Sequence, residues 1–244
     1  MKSPVLSPLL AIMAVAIPAV TADAPADDPE HQAELPVASV ADRYSRLSDA
    51  DYRSVADSLG VSVACIKAVV EIETGNCGQG FGPDSLPIIN FDVNMFRKYA
   101  VRRGIKLAQY HGSHAVVFGK PDVRRYGSQQ AAQYARLNAA MDIDSVAAME
   151  GTFWGMFQIG GFNWRLCGCD SVQQFVERMS YSERAQLELF AAYVKARRLD
   201  RFLVRHDWAA FALRYNGPGF RKMNYDVRLA AAFRRHSNRQ QAEK

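Results

Sequence analysis

From Ser48 onward, apolar residues return at helical spacing, and short polar residues mark where each helix should start. Ser48 with Asp51 has the form of a capping box, and Leu59-Gly60 closes that first segment. Ser62 heads the next, whose stripe Val63, Ile66, Val69 and Val70 predicts one buried helical face ending at Thr74-Gly75. Residues 76–128 are the least regular part. Many Gly and Pro among short apolar runs predict a loop-rich lobe with a small hairpin. Helical patterns resume at Gln129–Met141, with Tyr134 and Leu137 inward, and at Asp144–Met149. Residues 155–161 read as a buried turn and helix. The segments Ser171–Met179, Ser182–Leu199, Asp207–Tyr215 and Tyr225–Arg235 complete the series, the first two with Ser caps. No internal repeat is present. The pattern predicts a mainly α domain over residues 46–236 with a small irregular or β lobe, then a disordered basic tail over 237–244.

Composition excludes two broad classes. With 244 residues, 49% hydrophobic and 23% charged, the chain is neither disordered throughout nor collagen-like. A net charge of +5 suits any polyanion and does not choose among them. The N-terminus is more informative. Lys2, an apolar run from Pro4 to Val20, and Val20-Thr21-Ala22 before Asp23 have the layout of a secretory signal peptide over residues 1–22. The Ser/Pro-interrupted run falls short of the roughly 20 apolar residues of a membrane span, so no stable insertion is expected after its removal. Residues 23–45, rich in Ala, Pro and Asp, read as a flexible linker. The expected location is periplasmic or extracellular.

Export bears on the four cysteines, because an oxidising compartment permits disulfides. Cys77 is a candidate to bridge to Cys167 or Cys169, and Cys65 lies on an apolar helical face as a buried thiol would. The five His are scattered and no paired C-x-x-C occurs, so no metal site is expected. The late basic residues, Arg221 to Arg239, are spread through an amphipathic helix. That is the pattern of a solvated face, and export separates the chain from nucleic acid, so no nucleic-acid partner is expected.

Glu73 is the first candidate for chemistry. It ends an apolar helix, where the helix dipole and burial both favour the protonated acid. A carboxyl kept protonated near neutral pH is what a general acid requires. Glu71 lies about 200° away around the helix and four residues after Lys67, a spacing that permits a surface ion pair. The run Phe153 to Trp164 combines aromatic faces, which stack on sugar C–H surfaces, with the amides Gln158 and Asn163, which can both donate and accept. Arg214-Tyr215-Asn216-Gly217-Pro218-Gly219 ends a helix abruptly.

Taken together, Glu at a helix end, then Gly-x-x-Gln, then Tyr-Asn-x-x-Gly, the sequence resembles the lysozyme superfamily of goose-type lysozymes and lytic transglycosylases. The closer resemblance is to the N-acetylmuramidase family of phage endolysins and bacterial cell-wall enzymes. It is carried by Ala68 to Gly75, Ile88 to Asp92, Gln133 to Leu137, Trp154 to Ile159, Gly161 to Trp164, Asp207 to Ala212 and Tyr215 to Gly219, and covers about residues 60–235. The resemblance implies a lysozyme-like fold. It also implies a monomeric peptidoglycan glycosidase that cuts between N-acetylmuramic acid and N-acetylglucosamine and needs no cofactor. Glu73 maps onto the family's acid, and Trp154, Gln158, Asn163, Trp164, Tyr215 and Asn216 onto the substrate groove. Tyr215 is also placed to bond the Glu73 carboxyl. One departure stands out. The family usually reads Phe-Glu-Arg-His where this chain has Phe91-Asp92-Val93-Asn94. Asp92 is thus a candidate second carboxylate, one methylene short. Two alternatives follow from it: a lytic transglycosylase, or a peptidoglycan-binding protein with impaired catalysis.

Overall fold

The computed structural model describes residues 44–75 and 79–242. Local caps set most helix starts. Ser48 and Asp51 form the reciprocal capping box that opens α1 (Asp49–Leu59), and Gly60 ends it in the left-handed conformation. The Ser62 hydroxyl accepts from the Cys65 N–H, 3.2 Å, to start α2 (Val63–Thr74). Helix α2 is buried on more than the one predicted face: Ala64, Ile66, Ala68, Val69, Val70 and Ile72 are all inside. A helix apolar on most sides belongs at the centre of a domain. Helix α1 packs on it, and so, along much of its length, does the last helix, α12 (Tyr225–Ala242). Helix α12 runs through residues 237–242, where a disordered tail was expected. Leu229 and Ala232 anchor it inside, and its last turns continue the helix along the surface.

The predicted loop-rich lobe is more helical than its composition suggests. It holds β1 (Ile89–Phe91), α3 (Val93–Arg102), a 3-10 turn at Leu107–Tyr110, α4 (Ala115–Phe118) and α5 (Val123–Tyr126). The lobe also carries the small hairpin expected there: Phe81 pairs antiparallel with Pro87, the Gly82 N–H donates to the Leu86 carbonyl at 2.8 Å and the Ile88 N–H to the Gly80 carbonyl at 2.9 Å. A second hairpin lies further along the chain. It joins β2 (Thr152–Trp154) to β3 (Ile159–Gly160) through residues 155–158, in the segment read as turn and helix, and a 3-10 stretch follows at Gly161–Cys167. The three strands form one antiparallel sheet, β1-β2-β3, with Ile89 opposite Trp154 and Phe91 opposite Thr152.

The free edge of β1 is covered by side chains of α6 (Gln129–Ile143) instead of a fourth strand. Gln130 accepts from the Ile89 N–H at 2.9 Å and donates to the Ile89 carbonyl at 3.1 Å. Gln133 accepts from the Phe91 N–H at 3.3 Å, and Arg136 donates to the Phe91 carbonyl at 3.1 Å. An exposed edge would template unwanted pairing, and these amides remove it. Tyr134, half-buried, donates to the Pro87 carbonyl at 2.7 Å, while Leu137 enters the core as its spacing predicts.

The remaining helices are α7 (Ser145–Glu150), α8 (Val172–Met179), α9 (Glu183–Ala196), α10 (Asp200–Val204) and α11 (Trp208–Asn216). Two buried polar side chains of α9 tie Gly80 to the chain around Leu47, Met156 and Met179. Glu183 accepts from the N–H groups of Gly80, 2.9 Å, and Leu47, 3.2 Å. Gln186 accepts from the Met156 N–H at 2.8 Å and donates to the carbonyls of Met179 and Gly80. Cys65, Cys167 and Cys169 are buried and form no disulfide among the described residues. Burial pushes the Cys65 and Cys167 thiols up to about 12. Cys77, the expected bridging partner, lies outside the described residues, as do the signal-peptide and linker segments through residue 43. No helix among the described residues is long and apolar enough to cross a membrane.

Candidate active site

Glu73 is the penultimate residue of α2, and only 8% of it is exposed. Gly75, with φ 56°, turns the chain away immediately after. The carboxyl therefore sits out of water at a helix end whose free carbonyls repel negative charge. Burial is the dominant effect and pushes its pKa up to about 7 from the ordinary 4.5. Two weaker influences oppose it: a hydrogen bond from Asn216 and the positive charge of Arg228.

Helix α11 brings the second segment. The Asn216 side-chain amide donates to Glu73 Oε1 at 3.4 Å, a long bond. Gly217, at φ 79° and followed by Pro218, then stops the helix, so the amide is held at a fixed helix end. Tyr215 does not bond the Glu73 carboxyl. Its hydroxyl donates instead to the Phe157 carbonyl at 3.0 Å. The reason is packing: the Tyr215 ring is boxed by Phe190, Tyr193 and Phe211, with Phe211 stacked at 5.4 Å, which fixes its direction. Burial, reinforced by the nearby charge of Glu73, raises the Tyr215 pKa well above its usual value.

Through Phe157, the third segment joins. Gln158 adopts a left-handed backbone, φ 47°, which is uncommon for a residue with a Cβ and costs on the order of 1 kcal/mol. Its amide nitrogen donates to the carbonyls of Gly155, 2.8 Å, and Ile88, 3.4 Å. Its amide oxygen accepts no hydrogen bond among the described residues. Gly155 makes the tight turn feasible, because a Cβ there would lie 2.7 Å from Gln186 Oε1. Three segments distant in sequence thus converge: Glu73 with Asn216, Tyr215 with Phe157, and Gln158 beside it.

Other candidates fall outside this cluster. Trp154, expected to wall a groove, is 3% exposed, and its indole donates to the Met149 carbonyl at 3.1 Å. It belongs to the core because it occupies a central strand packed on α7. Trp164 is half-buried, donates to Glu150 Oε1 at 3.3 Å, and carries the Arg165 guanidinium 3.9 Å above its ring. Asn163 is half-buried on the same 3-10 stretch and makes no side-chain hydrogen bond among the described residues. Asp92 is the N-cap of α3, and its Oδ1 accepts from the N–H groups of Asn94, 2.8 Å, and Met95, 3.1 Å. Glu71 pairs with Arg235 and His236, not with Lys67, whose ammonium reaches Asp49 at 2.7 Å. Helix α12 lies alongside α2 and supplies the Arg235 guanidinium and the His236 ring to Glu71.

Sequence reasoning missed Tyr225 and Arg228, both on the first turns of α12. The Glu73 charge acts on the Tyr225 phenol, and Arg228 acts on Glu73. Nothing in their spacing marks them; only the docking of α12 on α2 brings them to the site. It also missed Glu150, which holds the Trp164 indole one residue before Gly151, whose carbonyl accepts from the Asp92 N–H at 3.0 Å. Two concavities, of about 440 and 300 Å³, lie around Gly60–Ala64 and Lys67 toward the other end of α2, away from Glu73. Among the described residues, no three His, Cys, Asp or Glu side chains converge into a metal site.

A family model for N-acetylmuramidase matches residues 62–237. Among solved structures, the crystal structure of a Burkholderia AP3 phage endolysin is similar, with 35% identity and a TM-score of 0.67 over 79% of this chain and 72% of that one. No curated protein matches. The family match spans the segments that bring Glu73, Gln158, Tyr215 and Asn216 together, and this chain's mostly helical architecture with its small antiparallel sheet matches the lysozyme-like fold of that endolysin. The chain belongs to the N-acetylmuramidase family and is a glycosidase that cleaves peptidoglycan.

Proposed function

We propose that this muramidase is exported and cuts the β-1,4 bond between N-acetylmuramic acid and N-acetylglucosamine, with Glu73 as the general acid. One observation carries the reading: a buried carboxyl at the end of α2, its pKa pushed up to about 7, held by the amide of Asn216. At neutral pH a substantial fraction of such an acid still carries its proton, and it can pass that proton to the bridging oxygen as the bond to the leaving sugar breaks. The free amide oxygen of Gln158 and the half-buried Asn163 are suited to sugar hydroxyl and acetamido groups, and the half-buried Trp164 to a sugar face. Tyr215 acts by fixing the Phe157–Gln158 turn.

A second reading follows from Asp92. An inverting hydrolase needs a second carboxylate to activate water. Asp92 already accepts two backbone N–H groups. If it does not serve, attack by the muramic acid's own 6-hydroxyl gives the lytic transglycosylase product. Mass spectrometry of digested peptidoglycan separates the two: reducing ends support hydrolysis and 1,6-anhydro ends support transglycosylation. Loss of activity in Glu73→Gln with retention in Asp92→Asn supports Glu73 alone, and full activity in Glu73→Gln removes the acid from the scheme. Export is tested by N-terminal sequencing of the mature protein, expected to begin at Asp23.

A further inference from the structure

Positive charge gathers on the lobe between β1 and α6. Residues 93–128 hold eight Lys and Arg against one acid, Asp122, an excess of seven in a chain whose net charge is +5. Arg103 pairs with Asp144 at 2.8 Å, and none of the other seven forms an ion pair among the described residues. Like charges left unneutralised on one surface repel one another and attract an anionic partner. Two of these cations have a fixed place. Helix α3 turns Phe96 and Ala100 into the core, and it approaches Gly151 so closely that a Cβ there would lie 2.7 Å from the Phe96 backbone. On its outer side the Lys98 ammonium lies 5.6 Å, and the Arg102 guanidinium 5.5 Å, from the centroid of one ring, Tyr99. That ring stacks on Phe162 at 5.7 Å, and Phe162 lies against Gly160, where a Cβ would overlap it. A line of contacts thus runs from two cations through Tyr99 and Phe162 to β3 and the Asn163–Trp164 stretch. The acid of this corner, Glu150, accepts from the Trp164 indole at 3.3 Å and pairs with neither cation.

We propose that Lys98 and Arg102, held on the Tyr99 ring, form a subsite beside the groove for the free carboxylates of the stem peptide that hangs from muramic acid. The proposal rests on the reading of Asn163 and Trp164 as groove residues. In peptidoglycan the lactyl carboxyl of muramic acid is tied up in the amide bond to the peptide, so the negative charges lie along the peptide and not on the sugar. A cation pair one aromatic layer away from the Asn163–Trp164 stretch meets charges placed outward from the glycan in this way, and the fit of opposite charges fixes orientation and partner choice. Because both side chains already rest on one ring, less freedom is lost when they bind than from two unattached side chains. The pair contributes binding and takes no part in breaking the glycosidic bond.

The test is the double variant Lys98→Gln with Arg102→Gln in the full chain. Its kcat and KM are measured on soluble glycan strands that keep their stem peptides and on the same strands stripped by an amidase. Stripping frees the lactyl carboxylate, so both substrates stay anionic and differ in where the charge sits. A control double variant, Arg124→Gln with Arg125→Gln, removes the same charge from α5, which packs on α6. The expected result is a KM higher by roughly fivefold on peptide-bearing strands, with kcat, and both constants on stripped strands, within about twofold of the parent. Retained turnover of stripped strands shows that the fold is intact. The loss should shrink as salt is raised, and the control should keep the parent's KM on both substrates. An equal rise in KM on both substrates, or the same rise from the control, makes the lobe a general surface for polyanions and overturns the subsite. So does an unchanged KM on peptide-bearing strands. Trp164→Ala tests the groove reading separately: a loss on both substrates supports it, and no loss on either removes Trp164 from the groove while the Lys98 and Arg102 comparison still decides the subsite.

Discussion

Two carboxylates sit at helix ends in this molecule, and the ends are opposite. Glu73 closes α2, where unpaired carbonyls disfavour negative charge. Asp92 opens α3, where unpaired N–H groups attract it. Asp92 satisfies two of those N–H groups at 2.8 and 3.1 Å. Glu73 has one bond at 3.4 Å and is buried. The same functional group thus caps a helix in one place and is buried with a raised pKa in the other. Polarity of the helix end and access to water make the difference. The charge on Glu71, two residues before Glu73 on the same helix, makes a third case. Burial opposes its ionisation, but Arg235 and His236 prevail and lower its pKa. Two residues along a helix is enough to pass from an ion-paired surface to a dry pocket.

The largest effect expected is at Glu73. Glu73→Gln should cost on the order of 10²–10⁴ in kcat on peptidoglycan. It should also stabilise the fold at alkaline pH. A carboxyl whose folded pKa is raised contributes stability below its unfolded value near 4.5 and loses it as pH rises through about 7. Removing it should raise the melting temperature relative to the parent at pH 8, by roughly 1–3 kcal/mol of stability, and leave the two alike at pH 4. Equal melting curves at pH 8 would mean that Glu73 is not confined as described. On the proposal that Glu73 is the acid, activity of the parent should fall as pH rises through about 7.

Asp92 supplies the contrast. Asp92→Ala should lose about 1 kcal/mol of stability as α3 loses its cap, while Asp92→Asn, an equally good cap, should keep both stability and folding. Thermal melts measure the first effect and turnover by Asp92→Asn sharpens it. Abolished activity with an unchanged melt would return Asp92 to the catalytic pair and break the comparison. Glu71→Gln should show the smallest effect, on the order of 0.5 kcal/mol, because exposed ion pairs contribute little. Its sign is opposite to that of Glu73: the depressed pKa means the stabilisation is present near neutral pH and fades as pH falls through the carboxylate range. Raising the salt concentration in the same melt should shrink it further.

The sequence made the helix starts legible. Ser48, Ser62, Ser128, Ser171 and Ser182 each cap their own helix through a backbone N–H three residues on, so the signal is complete within one turn. Helix α3 was hidden in a region of Gly and Pro, and its cap, Asp92, read as chemistry. The strands were hidden as well, because two or three residues are too short to show a period, and their pairing joins residues 89–91 to 152–154. Glu73, the Gly-x-x-Gln turn and the Tyr-Asn turn, which the structure brings together, could be named by residue type and order.

What surrounds the acid could not be named that way. The sequence by itself determined which residues are able to donate a proton, stack on a sugar or end a helix, because those properties belong to one side chain and its nearest neighbours. Only the tertiary structure decided that Trp154 is core, that Tyr215 points to Phe157, and that Tyr225 and Arg228 come within electrostatic reach of Glu73. The physical reason is that burial and proton affinity are set by everything within a few ångströms, and along α2 those neighbours come from α11 and α12, at the other end of the chain.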